Sequence, residues 1–144
     1  MNPIFKLFVA SHVRLFRVTH GKIGSTMDGV EVLLLTTKGA KSGQARTVPV
    51  MAFQDSGHRV VIGSAAGSPD HPAWFKNLQK NPEVTVEVKG RRYAARAELA
   101  NADERARIWK KVMTEHPRFA GYEKKAQGRE IPVVVLKEGG APPS

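Results

Sequence analysis

Between Leu33 and Val50 the chain reads Leu-Leu-Leu-Thr-Thr-Lys-Gly-Ala-Lys-Ser-Gly-Gln-Ala-Arg-Thr-Val-Pro-Val, and its middle is built for anions. Lys38, Lys41 and Arg46 supply positive charge, and Thr36, Thr37 and Ser42 supply hydroxyls. Gly39 and Gly43 add two glycines, and no acid interrupts the run. Lysine offers a point charge, and arginine a two-pronged donor matched to phosphate or carboxylate. Glycines can also turn successive N–H groups toward one point, which makes an anion nest. Residues 38–46 are therefore read as an anion-binding loop, with an exposed basic hairpin loop as the plain alternative. The Lys-Ser-Gly here is no Walker loop, because the required upstream glycine is missing and a β-prone run follows where a helix should.

Other reactive side chains form no catalytic set. The five histidines stand at no metal-ligand spacing, so no metal site is expected. Cysteine is absent, which removes disulfides, thiolate chemistry and thiolate zinc sites. Asp55 falls in a turn and Asp70 at a helix start, with no acid–base partner nearby. Gly63-Ser64-Ala65-Ala66-Gly67-Ser68 is a second loop of small residues, where a flat ligand can approach the backbone. Trp74 follows it at a helix start, either as a core anchor or as a wall for a ring. A phosphate-type loop, a small-residue loop and an aromatic suit a protein that holds a cofactor while the cofactor does the chemistry.

The elements that must position these residues follow from periodicity. Residues 4–20 form a basic amphipathic helix within an N-terminal segment 1–24. Such a helix packs on its own domain, lies on an anionic bilayer or closes over a ligand. Residues 30–37 are a strand buried on both faces, as the Val-Leu-Leu-Leu centre requires. Strands at 47–54 and 59–63 flank a turn at Asp55-Ser56-Gly57, and Pro49 marks an edge or bulge because it cannot donate to a ladder. A helix over 73–80, with Asp70 as its cap and Pro72 in its first turn, stops at Asn81-Pro82. A one-sided hairpin spans 83–88 and 91–99. Asn101 with Glu104 is a capping box that opens a helix to about 115. A short helix or turn covers 119–125, a last strand 131–136, and a flexible tail 139–144. The sum is a single α+β domain, 1–144, with about six mostly antiparallel strands in a small barrel-like sheet and three or four flanking helices.

Charge narrows the partner. With 23 Lys and Arg against 13 acids, the net charge of +10 calls for an anionic partner. Nucleic acid, anionic lipid and an acidic small molecule all qualify, so a non-enzymatic binder of nucleic acid or lipid stands as the alternative to an enzyme. No apolar run reaches membrane-spanning length and no cleavable leader is recognised, so a cytoplasmic home is expected, with peripheral contact at the inner membrane face through residues 4–20.

Three ordered blocks go further: residues 34–50; Gly63-Ser64-Ala65-Ala66-Gly67-Ser68-Pro69-Asp70-His71-Pro72-Ala73-Trp74-Phe75-Lys76-Asn77-Leu78-Gln79-Lys80-Asn81-Pro82; and Arg129-Glu130-Ile131-Pro132-Val133-Val134-Val135-Leu136. Together they resemble the deazaflavin-dependent nitroreductase family of split β-barrel flavin and deazaflavin oxidoreductases, over roughly residues 14–137. The resemblance implies a split β-barrel that binds coenzyme F420, a hydride carrier with a phosphate and a polyglutamate tail. It implies that Lys41, Ser42, Gly43 and Arg46 hold the phosphate region, and that Thr47, Val48 and Pro49 line the deazaflavin ring. Ser64, Ala65, Ala66 and Gly67 would pass along the cofactor, Trp74 would flank the ring, and Asn77 would fix helix to loop or contact the cofactor. Tyr122 matches an aromatic on the substrate side that helps protonate the product in some relatives. Some relatives carry lysine where this chain has Ala65-Ala66, and several tyrosines where it has Phe119, Tyr122 and Lys125. The activity implied is reduction of a quinone, enone or nitro compound by a monomer or homodimer. Other branches of the superfamily hold fatty acid, flavin mononucleotide (FMN) or haem, and FMN is the less favoured cofactor here.

Overall fold

The computed structural model describes residues 13, 14, 17, 26, 27, 30–63, 71–117, 119, 121 and 130–139. They contain seven strands: β1 (Thr26–Met27), β2 (Val30–Lys38), β3 (Ala45–Asp55), β4 (His58–Ile62), β5 (Glu83–Val88), β6 (Arg91–Leu99) and β7 (Val133–Glu138). Two helices accompany them, α1 (Ala73–Lys80) and α2 (Ala102–Glu115).

Every pairing is antiparallel, and the order β2-β3-β4-β7-β6-β5 closes when β5 returns to β2, with Leu35 opposite Val86. Six strands thus make a barrel, and the short β1 lies beside the start of β2. Alternation explains which residues fill it. Leu33 and Leu35 of β2, Val84, Val86 and Val88 of β5, Ala95 and Ala97 of β6, and Val134 and Leu136 of β7 form one interior cluster. Phe75 and Leu78 of α1 join that cluster, so the helix closes the barrel interior with its apolar face.

The outward residues of β4 and β7 are apolar as well. Val60, Ile62, Val133 and Val135 pack under Ile108 and Val112 of α2. On β2, Leu34 turns outward and is covered by Val13. This is why the three consecutive leucines are fully buried: one side of the strand faces the interior and the other is roofed. The β5–β6 hairpin carries charges outward, and Arg17 meets Glu87 on it at 2.8 Å.

Two-residue turns at Ser56-Gly57 and Lys89-Gly90 hold both residues at positive φ, the geometry that suits strand twist. The capping box forms as expected, with Glu104 N–H donating to Asn101 Oδ1 at 2.9 Å and Asn101 N–H to Glu104 Oε1 at 3.1 Å.

Several expectations need correction. Pro72 is not inside the first turn of α1 but is its N-cap, with no side-chain cap bond. Its carbonyl accepts from Phe75 N–H at 3.1 Å instead; Asp70 lies outside the described residues. The last strand begins at Val133, because Ile131 and Pro132 precede the ladder and the Pro132 carbonyl accepts from Gly63 N–H at 2.9 Å. Strand β3 is longer than 47–54, gaining Ala45 and Arg46 opposite Lys38 and Thr37. Two helices, not three or four, are counted among the described residues. Val13, Arg14 and Arg17 are helical, as are Phe119 and Gly121, but the rest of segments 4–20 and 119–125 and the tail 140–144 lie outside them. No described helix is long and apolar enough to cross a membrane.

Candidate anion and cofactor site

The loop between β2 and β3 is tightly internally bonded. Gly39 N–H donates to the Gln44 carbonyl at 2.8 Å, Gly43 N–H to the Gly39 carbonyl at 2.9 Å, and Gln44 N–H to Ser42 Oγ at 3.2 Å. A Cβ on Gly39 would lie 2.6 Å from Ser42 Oγ and 3.2 Å from the Gln44 carbonyl oxygen, so a side chain there would crowd the fold-back and displace the serine hydroxyl. Gly43 sits at φ +71°, where glycine carries no steric penalty. Ala40 N–H is taken by Asn77. The amides of Gly39, Ala40, Gly43 and Gln44 are therefore spent within the protein, and the loop meets an anion mainly with side chains.

Those side chains are free to do so. Lys38, Lys41, Ser42 and Arg46 are exposed. Among the described residues, Lys38, Lys41 and Arg46 have no acidic partner. Helix α1 adds two cations that sequence reasoning did not single out. Lys76 and Lys80 are four apart and so share a face, and Lys80 Nζ donates to the Ala40 carbonyl at 2.8 Å. The signal was present as Lys-x-x-x-Lys with no acid in the helix, but nothing in the sequence says that this face meets the loop.

Strand β3 leads away from the loop with an unusual exposure pattern. Thr47, Val48, Pro49, Val50 and Met51 are all half-buried, instead of alternating. The register supplies the reason. One side of Ala45–Ala52 pairs with β2, but β4 pairs only from Ala52 onward. Among the described residues no strand occupies the other side of Ala45–Met51, so this half of β3 is an edge, as Pro49 requires. Thr47 is held by a 2.7 Å contact between its hydroxyl and that of Thr36 across the ladder. Val48 packs beside Leu34 and Val13. Trp74 and Val50 are both half-buried against the interior cluster.

Thus Lys41, Ser42 and Gly43 lie on the loop, Arg46, Thr47, Val48 and Pro49 follow on the adjoining strand β3, and Trp74 and Asn77 come from α1. Asn77 Nδ2 donates to Thr37 Oγ1 at 3.1 Å while its Oδ1 accepts from Ala40. Ser64, Ala65, Ala66, Gly67 and Tyr122 lie outside the described residues. Among the described residues no cluster of His, Asp and Glu suits a metal ion.

The far end of the barrel differs. A cavity of about 320 Å³ there is lined by Val30, Glu31, Phe53, Gln54, Lys111 and His116, among others, and contains none of residues 41–49, 74 or 77. Its Glu31 is already matched. Burial opposes ionisation of Glu31, but Arg59 at 2.7 Å and Lys89 at 3.4 Å outweigh it and hold the carboxyl below its ordinary range.

Residues 8–138 match the F420H(2)-dependent quinone reductase family. An F420H(2)-dependent quinone reductase of Mycobacterium tuberculosis is 34% identical over 129 residues, covering 87% of this chain and 86% of that protein. The solved structure of an F420-H2 dependent reductase superposes with a TM-score of 0.65 at 34% identity, over 74% of this chain and 93% of the other. A second solved structure, described as a domain-swapped dimer, gives a TM-score of 0.66 at 30% identity, over 94% of this chain and all of the other. The chain with the acid-free basic loop and the open strand edge belongs to the F420H(2)-dependent quinone reductase family.

Proposed function

We propose that this protein uses reduced F420 to reduce a quinone-like small molecule. The observation that carries the reading is the set of acid-free cations on the β2–β3 loop, placed directly before an unpaired, half-buried strand edge. That arrangement fits a cofactor with an anionic stalk and a flat ring. Lys41, Ser42, Gly43 and Arg46 would hold the phosphate region, and Thr47, Val48 and Pro49 would line the ring, with Trp74 beside it and Ser64, Ala65, Ala66 and Gly67 along it. When bound, reduced F420 supplies a hydride to an electron-poor acceptor.

The chain's own contribution is to bind and orient. Lys76 and Lys80 extend the positive surface beyond the loop, where an acidic tail of glutamates would find further partners. Val48, Pro49 and Val50 offer the ring an apolar surface and keep water from it. Protonation of the reduced product falls to Tyr122 or to solvent. Enones and nitro compounds are further acceptors of the same electron-poor kind.

The protein works as a single domain, with flanking helices at 4–20 and 119–125 in addition to α1 and α2, and as a monomer or homodimer. The domain-swapped dimer formed by a relative supports the latter. A cytoplasmic home is proposed. Packing of Val13 on Leu34 and the 2.8 Å contact of Arg17 with Glu87 support an N-terminal helix docked on its own barrel rather than on a membrane.

Titration of oxidised F420 with protein, followed by deazaflavin fluorescence, is the test. Saturable quenching is expected. Lys41→Ala and Arg46→Ala should each weaken binding by about 1 kcal/mol, roughly fivefold. An unchanged signal at high protein concentration overturns the reading.

A further inference from the structure

Ala40 is gripped from one side. Its N–H is held by Asn77 Oδ1 at 3.0 Å and its carbonyl by Lys80 Nζ at 2.8 Å, from residues one turn apart on α1. The other half of the Asn77 amide donates to Thr37 Oγ1 at 3.1 Å. An N–H can only donate, so the bond from Ala40 fixes which amide atom of Asn77 is the oxygen. Thr37 is 2% exposed and is the sole buried polar side chain among the described residues. Helix α1 is itself immobilised, because Phe75 and Leu78 sit in the barrel interior. Both ends of the run from Thr37 to Ala40 are therefore tied to a rigid body, directly beside Lys41.

We infer that Asn77, supported by Lys80, is a positioning residue for the anion loop and does not itself touch the ligand. Lys41 lies in the exposed segment between the strands, with Lys38 and Arg46 at the strand ends beside it; without an anchor that segment would sample more arrangements, and ordering it on binding costs affinity. Anchoring Ala40 removes that cost in advance. The benefit falls only on ligands that use the loop. This rests on the F420 reading above, yet it adds a selectivity: the latch governs affinity for the phosphate end of the cofactor and leaves affinity for the ring alone.

The test compares F420 with its phosphate-free deazaflavin chromophore, using the full chain. Asn77→Leu should weaken F420 binding about tenfold while binding of the chromophore changes less than about twofold. Thr37→Ser, which keeps the hydroxyl, should bind F420 like the parent protein, whereas Thr37→Val should follow Asn77→Leu. Equal losses for both ligands, or none, overturn the inference while leaving the F420 reading in place. Should the parent protein bind neither ligand, the F420 reading falls, and amide hydrogen exchange at Ala40 decides the latch. Faster exchange in Asn77→Leu supports it, and unchanged exchange overturns it.

Discussion

Two surfaces of this barrel use the same residue types for opposite ends. On the β5–β6–β7 face, Arg91 meets Glu138 at 2.7 Å, Arg96 meets Glu83 at 2.8 Å, and Lys137 meets Glu98 at 2.7 Å. At the β2–β3 loop and α1, Lys38, Lys41, Arg46 and Lys76 have no acid among the described residues. The two faces differ in pairing: three acids are taken up by cations on the β5–β6–β7 face, and none among the described residues meets the cations at the loop, which leaves those to act on an outside anion. Paired exposed charges contribute little to stability, and an unpaired cluster costs some through self-repulsion. A cluster of cations left without acids beside an open strand edge is suited to an outside anion.

The contrast can be broken by reversing charge. Lys41→Glu with Arg46→Glu should weaken F420 binding by about 100-fold or more, on the order of two charged hydrogen bonds. Arg96→Glu, the same change on the paired face, should leave F420 affinity within about twofold. Equal losses, read by fluorescence titration, would remove the distinction between the faces. Salt sharpens the comparison next. Raising ionic strength from about 0.05 to 0.5 M shortens the screening length severalfold and should weaken F420 binding clearly, while the unfolding midpoint moves little.

Acid separates the regions by stability instead of binding. Glu31 at the far end is held below its ordinary value of 4.5 by Arg59 and Lys89 despite its burial. A depressed carboxylate contributes stability that is present above the unfolded value and is lost as pH falls through the folded one. Unfolding followed below about pH 4.5 should show this loss, and Glu31→Gln should flatten that part of the profile. The smallest effect is Arg96→Ala, expected to change stability by about 0.5 kcal/mol or less in denaturant melts.

Much of this was legible because it is local. The triple leucine declared a strand covered on both sides, and Leu33, Leu34 and Leu35 are each 0% exposed. The alternation of Val84, Val86 and Val88 placed β5, and Asn101 with Glu104 placed the start of α2. The anion loop was legible as composition, yet its amides were not: Gly39 and Gly43 close the loop on itself and do not open a nest. What stayed hidden was long-range. Nothing near Leu34 says that Glu87 will lie opposite it and close the barrel. Nothing in α1 says that Lys80 will reach a carbonyl 40 positions earlier. Such contacts depend on how several strands pack at once, and neither periodicity nor propensity carries that information.

The bare flank of β3 has a consequence beyond cofactor grip. A barrel ordinarily has few margins at which a foreign strand can add itself, and here, among the described residues, Ala45–Met51 has a ladder on one side only. Pro49 offers no N–H to an intruder and Arg46 places a charge at the entrance, two devices that blunt such a margin. A bound ring would seal what remains. If the coenzyme ring lies there as proposed, protein without it should expose this margin and aggregate more readily.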